Sequence, residues 1–158
     1  MSRILGLDVS SSSTGWALTI NNRFYLKEEC YYGIISPEKN LTLAEKLEFF
    51  RVKLIEILDK TKPDIVIIED VFLQRNVSTL KLLSRFSGVA IEAVKSNSKI
   101  EPQLQTVKKI RSKVGTQDKK STYTFVVERF KLPWKKEDFN KRNDITDALA
   151  LCLFVTTK

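Results

Sequence analysis

Residues 65–70 read Ile-Val-Ile-Ile-Glu-Asp, four consecutive β-branched side chains followed by two acids. Such an uninterrupted apolar run is typical of a strand that is buried on both faces of a sheet. A second apolar run, Ile4-Leu5-Gly6-Leu7, also ends in an acid, Asp8. These two segments predict the centre of a helix-covered α/β sheet, with a carboxylate at the carboxyl end of each strand.

The elements around these strands alternate between strand and helix patterns. Residues 14–32 are predicted to form a hairpin, because Asn21-Asn22 is a tight-turn pair between two β-prone stretches. A capping-box pattern at Thr42 starts a helix that Pro63 ends. Further helices are predicted at 78–96, 106–113, 120–130 and 144–156, with a short strand within 99–105. This order predicts a mixed five-stranded sheet flanked by helices, in one domain over residues 1–158.

The composition excludes several kinds of chemistry. The chain has no histidine, which removes Ser–His–Asp and Cys–His catalysis, His-ligated zinc and an imidazole base. Cys30 and Cys152 are too few for a zinc site or a disulfide framework, and we expect both to be buried. The apolar stretches are shorter than the roughly 20 residues of a membrane span, and the N-terminus leaves no room for a signal peptide. We therefore expect a soluble cytoplasmic protein with no membrane partner.

The positive charge is concentrated in one region. The formal net charge is +8, and residues 95–142 hold 14 Lys and Arg against 5 Asp and Glu, whereas the remaining residues hold 13 against 14. Tyr123, Phe125 and Trp134 are interleaved with these cations. A solvated basic face is the ordinary interpretation of such charges. However, the concentration of Lys and Arg in one region, together with interleaved aromatic residues, favours a nucleic-acid-binding surface.

Four acidic residues occupy positions where the ligand-binding sites of α/β proteins are commonly found. Asp8 and Glu69 each end a predicted strand, and ligands of open α/β sheets bind at the carboxyl ends of strands. Asp144 and Asp147 are spaced i, i+3 and therefore share one helix face. The helix dipole explains one acid at a helix start, but it explains the pair poorly.

Clustered carboxylates repel one another unless cations offset their charge, and oxygen ligands suit Mg²⁺ or Mn²⁺. Two such ions about 3.5–4 Å apart can activate water and stabilise the leaving oxygen in phosphodiester cleavage, which requires no histidine. Lysines around such a site would hold the phosphate backbone. The sequence therefore predicts a metal-dependent nuclease.

Four motifs in this order resemble the RuvC Holliday-junction resolvases over nearly the whole chain. They are Ile4-Leu5-Gly6-Leu7-Asp8 with Ser13-Thr14-Gly15-Trp16; Pro63-Asp64 with Ile68-Glu69-Asp70-Val71-Phe72; Lys81-Leu82 with Gly88-Val89-Ala90; and Asp144-Ile145-Thr146-Asp147-Ala148-Leu149-Ala150. The resemblance implies an RNase H-like fold and a homodimer that cuts two strands of a four-way DNA junction with divalent metal, as a crossover junction endodeoxyribonuclease.

The resemblance also implies roles for individual residues. Asp8, Glu69, Asp144 and Asp147 would be the catalytic metal ligands, holding two Mg²⁺ ions for which Mn²⁺ substitutes. Lys120-Ser121 resembles a Lys-Ser pair of the family, which makes Lys120 the expected phosphate or transition-state lysine, with Lys119 as its rival. The expected DNA contacts are Phe72, whose ring would stack on an unpaired base or else belong to the core, and Arg75, Asn76, Lys108, Lys113, Lys119 and Lys120.

The loop after the first aspartate departs from the Pro-Gly of many cellular members. It reads Val9-Ser10-Ser11-Ser12-Ser13 and is similar to the phage-encoded branch, which implies activity on flaps and forks as well as four-way junctions.

Two alternatives stay open. One is a ribonuclease H acting on RNA–DNA hybrids, since Glu45 and Glu48 lie on the first helix, where such enzymes carry an acid. The other is a non-catalytic junction-binding protein. For the homodimer, helix 78–96 with Gly88 is the candidate interface, and core packing is the alternative for its apolar face.

Overall fold

The computed structural model describes residues 2–71 and 76–157, and five strands within these ranges form one mixed sheet. The strands are β1 (Arg3–Asp8), β2 (Thr14–Ile20), β3 (Tyr32–Ile35), β4 (Ile65–Glu69) and β5 (Gln103–Gln105). The sheet order is β3-β2-β1-β4-β5; β4 runs parallel to β1 and β5, and β2 runs antiparallel to β1 and β3. The predicted mixed five-stranded α/β sheet is confirmed.

Helices cover both faces of this sheet. They are α1 (Leu43–Thr61), α2 (Val77–Ser98), α3 (Val107–Val114), α4 (Lys119–Arg129) and α5 (Phe139–Thr156). Leu5 and Leu7 of β1 face α1 and α2, whereas Ile4 faces α5, as the alternation of side chains along a strand requires. None of the helices in the described ranges is long and apolar enough to cross a membrane.

The first helix begins as its sequence predicts. The Thr42 hydroxyl accepts a hydrogen bond from the Glu45 amide at 3.2 Å, and the Glu45 carboxylate accepts one from the Thr42 amide at 3.0 Å. The helix ends where Lys62 adopts a left-handed conformation (φ 45°), directly before Pro63. These bonds satisfy amides that have no partner inside the helix.

The predicted hairpin is correct at its turn and wrong in its second strand. Asn21 and Asn22 both have positive φ, and Ile20 and Arg23 exchange two backbone hydrogen bonds of 2.9 and 3.0 Å. However, β3 begins only at Tyr32. Most residues between the turn and β3 are exposed and several are charged; Phe24 and Tyr31 pack against the cores, but no alternation of buried and exposed side chains holds this stretch in the sheet.

Two other expectations need correction. Helix α5 begins at Phe139 rather than at Asp144, because the Phe139 ring packs edge-on against Tyr123 of α4, with 5.4 Å between ring centroids. Asp144 therefore lies beyond the first helical turn, where the helix dipole no longer accounts for an acid. Cys152 is buried as expected, but Cys30 is only half-buried.

Candidate active site

Two acids lie side by side at the carboxyl edge of the central strands. Leu7 of β1 is paired with Ile68 of β4 in parallel register, so the next residues along the two strands are Asp8 and Glu69. Asp8 is buried, with 8% of its surface exposed, and Glu69 is half-buried. Adjacent parallel strands thus bring these carboxylates together at the sheet edge where the sequence places each of them.

Two glycines of the sheet allow α5 to lie directly on it, beside the Asp8 and Glu69 carboxylates. A Cβ atom added to Gly15 would collide with the Asp144 carbonyl oxygen and lie 2.9 Å from the Asp144 Cβ. A Cβ atom on Gly6 would collide with the Ala148 carbonyl oxygen. Because Gly15 is paired with Asp8 across the sheet, this contact fixes Asp144 next to the strand ends.

A hydroxyl of the serine-rich loop holds the Asp144 side chain. Ser13 Oγ donates a hydrogen bond to Asp144 Oδ2 at 3.0 Å. The loop itself is closed by Thr14 Oγ1, which accepts from the Ser10 amide and donates to the Ser10 carbonyl, both at 3.0 Å. Sequence reasoning missed this role of Ser13, because no periodicity identifies which of four consecutive serines faces the helix.

The lysine beside the carboxylates is Lys119, the first residue of α4. Its Nζ lies 3.0 Å from Asp147 Oδ2 and 3.9 Å from Asp144 Oδ1, and it donates to Asn143 Oδ1 at 2.8 Å. Lys120, the residue favoured by the sequence, instead lines a groove of about 720 Å³ with Tyr123 and other residues of α4 and α5. The structure therefore brings Lys119, the rival, to Asp144 and Asp147.

The electrostatics of the cluster oppose full ionisation of its acids. Burial raises the pKa of Asp8 well above its ordinary value, and the neighbouring charges of Glu69 and Asp147 raise it further. Burial raises the pKa of Asp147 to about 6, although Lys119 opposes this shift. Burial lowers the pKa of Lys119, but the adjacent carboxylates, Asp147 foremost, outweigh it and the net shift is upward.

This donor set fits a hard divalent cation. Its side-chain donors are carboxylate oxygens, and a cation would relieve the repulsion that raises the pKa of Asp8. In residues 2–71 and 76–157, no three acidic or cysteine side chains already converge on a common metal position. The positive charge nearest to Asp147 in this arrangement is the ammonium group of Lys119, which is 48% exposed.

The other residues with predicted DNA contacts have varied surroundings. Asn76 caps α2, since its Oδ1 accepts hydrogen bonds from the amides of Ser78 at 2.9 Å and Thr79 at 3.3 Å. Lys113 Nζ donates to the Phe154 carbonyl at 2.8 Å. Lys108 is exposed on α3. Phe72 and Arg75 lie outside the described residues.

The contact between Ser13 and Asp144 leads to a prediction about metal affinity. The sequence predicts Asp144 to be a metal ligand, so we expect Ser13→Ala to weaken Mg²⁺ or Mn²⁺ binding about tenfold, because losing a hydrogen bond that orients a ligand typically costs that much or more. Calorimetric titration of the protein with each metal measures the change. Ser13→Thr should restore affinity, and Ser10→Ala is the matched control in the same loop; equal affinities in all four proteins would contradict the prediction.

The raised pKa values predict how stability changes with pH in EDTA. Asp147 has a folded pKa of about 6, above its value in the unfolded chain, so the folded state binds the proton more tightly. The free energy of unfolding should therefore rise by about 1–3 kcal/mol as the pH falls from about 7.5 to about 5. Asp8 acts in the same direction. Urea unfolding across this range measures the effect, and falling stability would contradict it.

The RNase H-like class has a mixed sheet in this strand order. In this chain, acids lie at the ends of two central strands and on the helix that crosses them. The family model "Crossover junction endodeoxyribonuclease RuvC" matches residues 4–155. This chain belongs to that family, whose members are metal-dependent endodeoxyribonucleases.

Individual relatives agree with this assignment. The chain is 27% identical over 153 residues to the RuvC of Dictyoglomus thermophilum, covering 95% of this chain and 93% of the relative. It is 30% identical over 154 residues to that of Paenarthrobacter aurescens, covering 96% and 79%.

Solved structures show the same fold at low sequence identity. The structure of T. thermophilus RuvC in complex with a Holliday junction substrate has a TM-score of 0.80 at 14% identity, covering 99% of this chain and 94% of that chain. The yeast mitochondrial Holliday junction resolvase Ydc2 has a TM-score of 0.58 at 10% identity, covering 97% and 77%.

Proposed function

We propose that this protein is a structure-specific endodeoxyribonuclease that resolves four-way DNA junctions, and other branched DNA, by paired phosphodiester hydrolysis. The observation that carries the proposal is the gathering of four carboxylates at one edge of the sheet, where the pKa of Asp8 and Asp147 is raised. Such a cluster is costly to maintain without cations, and metal-dependent phosphodiester hydrolysis is the chemistry that uses it.

Four side chains would hold two Mg²⁺ ions, with Mn²⁺ able to substitute: Asp8, Glu69, Asp144 and Asp147. When bound, the ions would supply Lewis-acid stabilisation of the attacking and leaving oxygens. In the reaction a water oxygen bonds to phosphorus, the ester P–O bond breaks, and the leaving oxygen takes a proton. Ser13 orients the Asp144 carboxylate, and Lys119 places a positive charge where negative charge develops on the phosphate.

The DNA would lie along the basic region of residues 95–142. Lys120 and Lys136 line the groove on α4 and α5, where the half-buried ring of Trp134 offers a surface for a base. Lys108 provides an exposed cation on α3. We retain Phe72, Arg75, Asn76 and Lys113 as proposed contacts, with Phe72 near the branch point.

We propose a homodimer, because two equivalent strands of a symmetric junction require two sets of acids related by a two-fold axis. The most buried side chains of α2, including Phe86 and Ala90, pack within the protein. The surface of α2 around Gly88 has open space for a partner backbone, and Val77 is 61% exposed. This surface is therefore the proposed interface. Sedimentation velocity over a range of protein concentrations tests the dimer directly.

We further propose that residues 1–158 form one nuclease domain, since both apolar cores lie on faces of the same sheet. Its compartment would be the cytoplasm, where its DNA substrate is found, and the serine-rich loop supports a phage-type branch of the family.

The deciding experiment compares end-labelled four-way junction, flap, linear duplex and RNA–DNA hybrid with Mg²⁺, Mn²⁺ or EDTA. Paired symmetric nicks in the junction that disappear in EDTA and in Asp144→Asn are the expected result. Equal cutting of flaps would make the enzyme a general debranching nuclease. Cutting of the hybrid alone would indicate a ribonuclease H, and tight junction binding without cutting would indicate a binding protein.

A pair of adjacent lysines gives a sharper prediction for the same assay. Lys119→Met should slow junction cutting about 10²–10³-fold, the effect typical of removing one group that stabilises transition-state charge. Lys120→Met removes the same charge one residue later and should slow cutting only a few-fold, through weaker DNA binding. Single-turnover rates at saturating protein separate the two effects, and a larger loss in Lys120→Met would reverse the assignment.

A further inference from the structure

A second cleft opens at the same edge of the sheet as the carboxylates, on the side of α1 and α2. Its volume is about 310 Å³. Serine and lysine residues line it together with the apolar residues Leu43, Leu82 and Phe86, of which Leu43 is exposed and Phe86 is buried. We call it the serine cleft, and its polar residues are Ser11, Ser12, Ser36, Lys39 and Lys46.

The serine cleft and the active site lie on two sides of one short loop. Ser11 and Ser12 line the cleft, whereas Ser13, the next residue, donates its hydrogen bond to Asp144. The Ser36 hydroxyl donates to the Ser12 carbonyl at 3.1 Å, which ties this loop to the loop after β3. A ligand in the cleft would therefore lie beside the reacting strand rather than in its place.

The charge of the serine cleft suits a phosphate. Lys39 and Lys46 make no ion pair with any described residue, and no Asp or Glu in the described ranges lines the cleft. By contrast, the larger groove that contains Lys120 is also lined by Glu128 and Glu137, which partly cancel its charge. Lysine ammonium groups and serine hydroxyls are frequent partners of DNA phosphate oxygens.

We propose that the serine cleft binds a backbone phosphate and its unpaired nucleotide from the strand next to the cut strand at a DNA branch. The volume is at the small end of the range for ligand sites, about 300–1,000 Å³, which suits one nucleotide rather than a duplex. The base would contact the accessible apolar side chains of Leu43 and Leu82, and the phosphate would contact Lys39 and Lys46. The inference rests on the proposed function and gives it a specific means of recognising branch points.

The test measures DNA binding in EDTA, so that no cutting occurs. Fluorescence anisotropy gives the Kd of Lys39→Gln/Lys46→Gln for a four-way junction and for a linear duplex of the same sequence, at several salt concentrations. We expect the junction Kd to rise about tenfold, and the slope of log Kd against log salt to fall by about 1–2, with little change for the duplex. Lys27→Gln/Lys53→Gln has the same net charge outside the cleft and should change the junction Kd by less than about twofold.

A second variant alters the serine side of the cleft and leaves both lysines in place. Ser11→Glu puts a carboxylate into the serine cleft. It should raise the junction Kd at least as much as Lys39→Gln/Lys46→Gln does, while the melting temperature stays unchanged. If both variants bind the junction as the lysine control does, or weaken junction and duplex equally, the inference is overturned. If the unaltered protein neither prefers nor cuts the junction, the proposed function itself fails.

Discussion

Asp147→Asn is expected to abolish junction cutting while junction binding in EDTA stays within about twofold of the unaltered protein. Asp147 is the acid that faces Lys119 at 3.0 Å, and its side chain is only 15% exposed. An amide of the same shape keeps the packing but removes the negative charge that Asp147 needs for its proposed role as a metal ligand. A loss of several kcal/mol of transition-state stabilisation corresponds to a rate reduction of about 10³-fold or more. Single-turnover cleavage of an end-labelled junction measures the rate.

The same variant should be more stable than the unaltered protein in EDTA at neutral pH. Burial raises the pKa of Asp147, so its ionised form destabilises the folded state above pH 6, and a neutral amide removes that cost. Asp59→Asn, on the exposed side of α1, is the matched control and should leave both rate and stability nearly unchanged. If Asp147→Asn retains more than about a tenth of the rate, Asp147 is not an essential metal ligand.

The positions of Asp8 and Glu69 at strand ends could be predicted because they depend on local patterns, whereas their side-by-side placement depends on the parallel pairing of β1 with β4, two segments distant in the chain. A β-branched run identifies a buried strand, and an acid directly after such a strand lies at its carboxyl end. The spacing of Asp144 and Asp147 likewise fixes their common helix face, wherever the helix begins. The strand-end positions and the shared helix face needed no knowledge of how the distant parts of the chain pack, and the structure places them as the patterns predict.

The choice between Lys119 and Lys120 could not be made in this way, because it depends on where α4 starts. Asp118 caps the helix, with its carboxylate accepting a hydrogen bond from the Ser121 amide at 2.7 Å. That makes Lys119 the first helical residue, on the side facing Asp147, whereas Lys120 points into the neighbouring groove. Recognising the N-cap at Asp118 would have been the available signal, since Asp is a preferred capping residue.

The register of α5 against the sheet is a tertiary feature that no local pattern indicates. Gly15 lies within a motif that is recognisable by family resemblance, but its physical role is the backbone contact with Asp144. The start of β3 at Tyr32 is also decided by tertiary contacts, because the Tyr32 ring packs against Phe24 and Trp134. Contacts between distant segments decide both cases.

Gly15→Ala is expected to damage stability and activity together. The added methyl group would collide with the carbonyl oxygen of Asp144, a backbone atom in the second turn of a packed helix, so α5 must shift. Overpacking of this kind costs about 3 kcal/mol, measured as a lower urea midpoint. A carboxylate displaced by about 1 Å should also slow cutting about 10²-fold at a temperature where the variant is folded.

Gly88→Ala is the matched control, because a methyl group there meets nothing within 4 Å on the surface of α2. It should stabilise the protein by about 0.5–1 kcal/mol, since alanine favours a helix interior over glycine. Because Gly88 lies in the proposed dimer interface, Gly88→Ala is a control for the urea midpoint only, compared at a protein concentration where sedimentation shows the same oligomeric state for both proteins. If Gly15→Ala instead has the same urea midpoint and the same cutting rate as the unaltered protein, the close packing of α5 on the sheet does not depend on that glycine. The position of Asp144 must then be maintained by Ser13 and Lys119 alone.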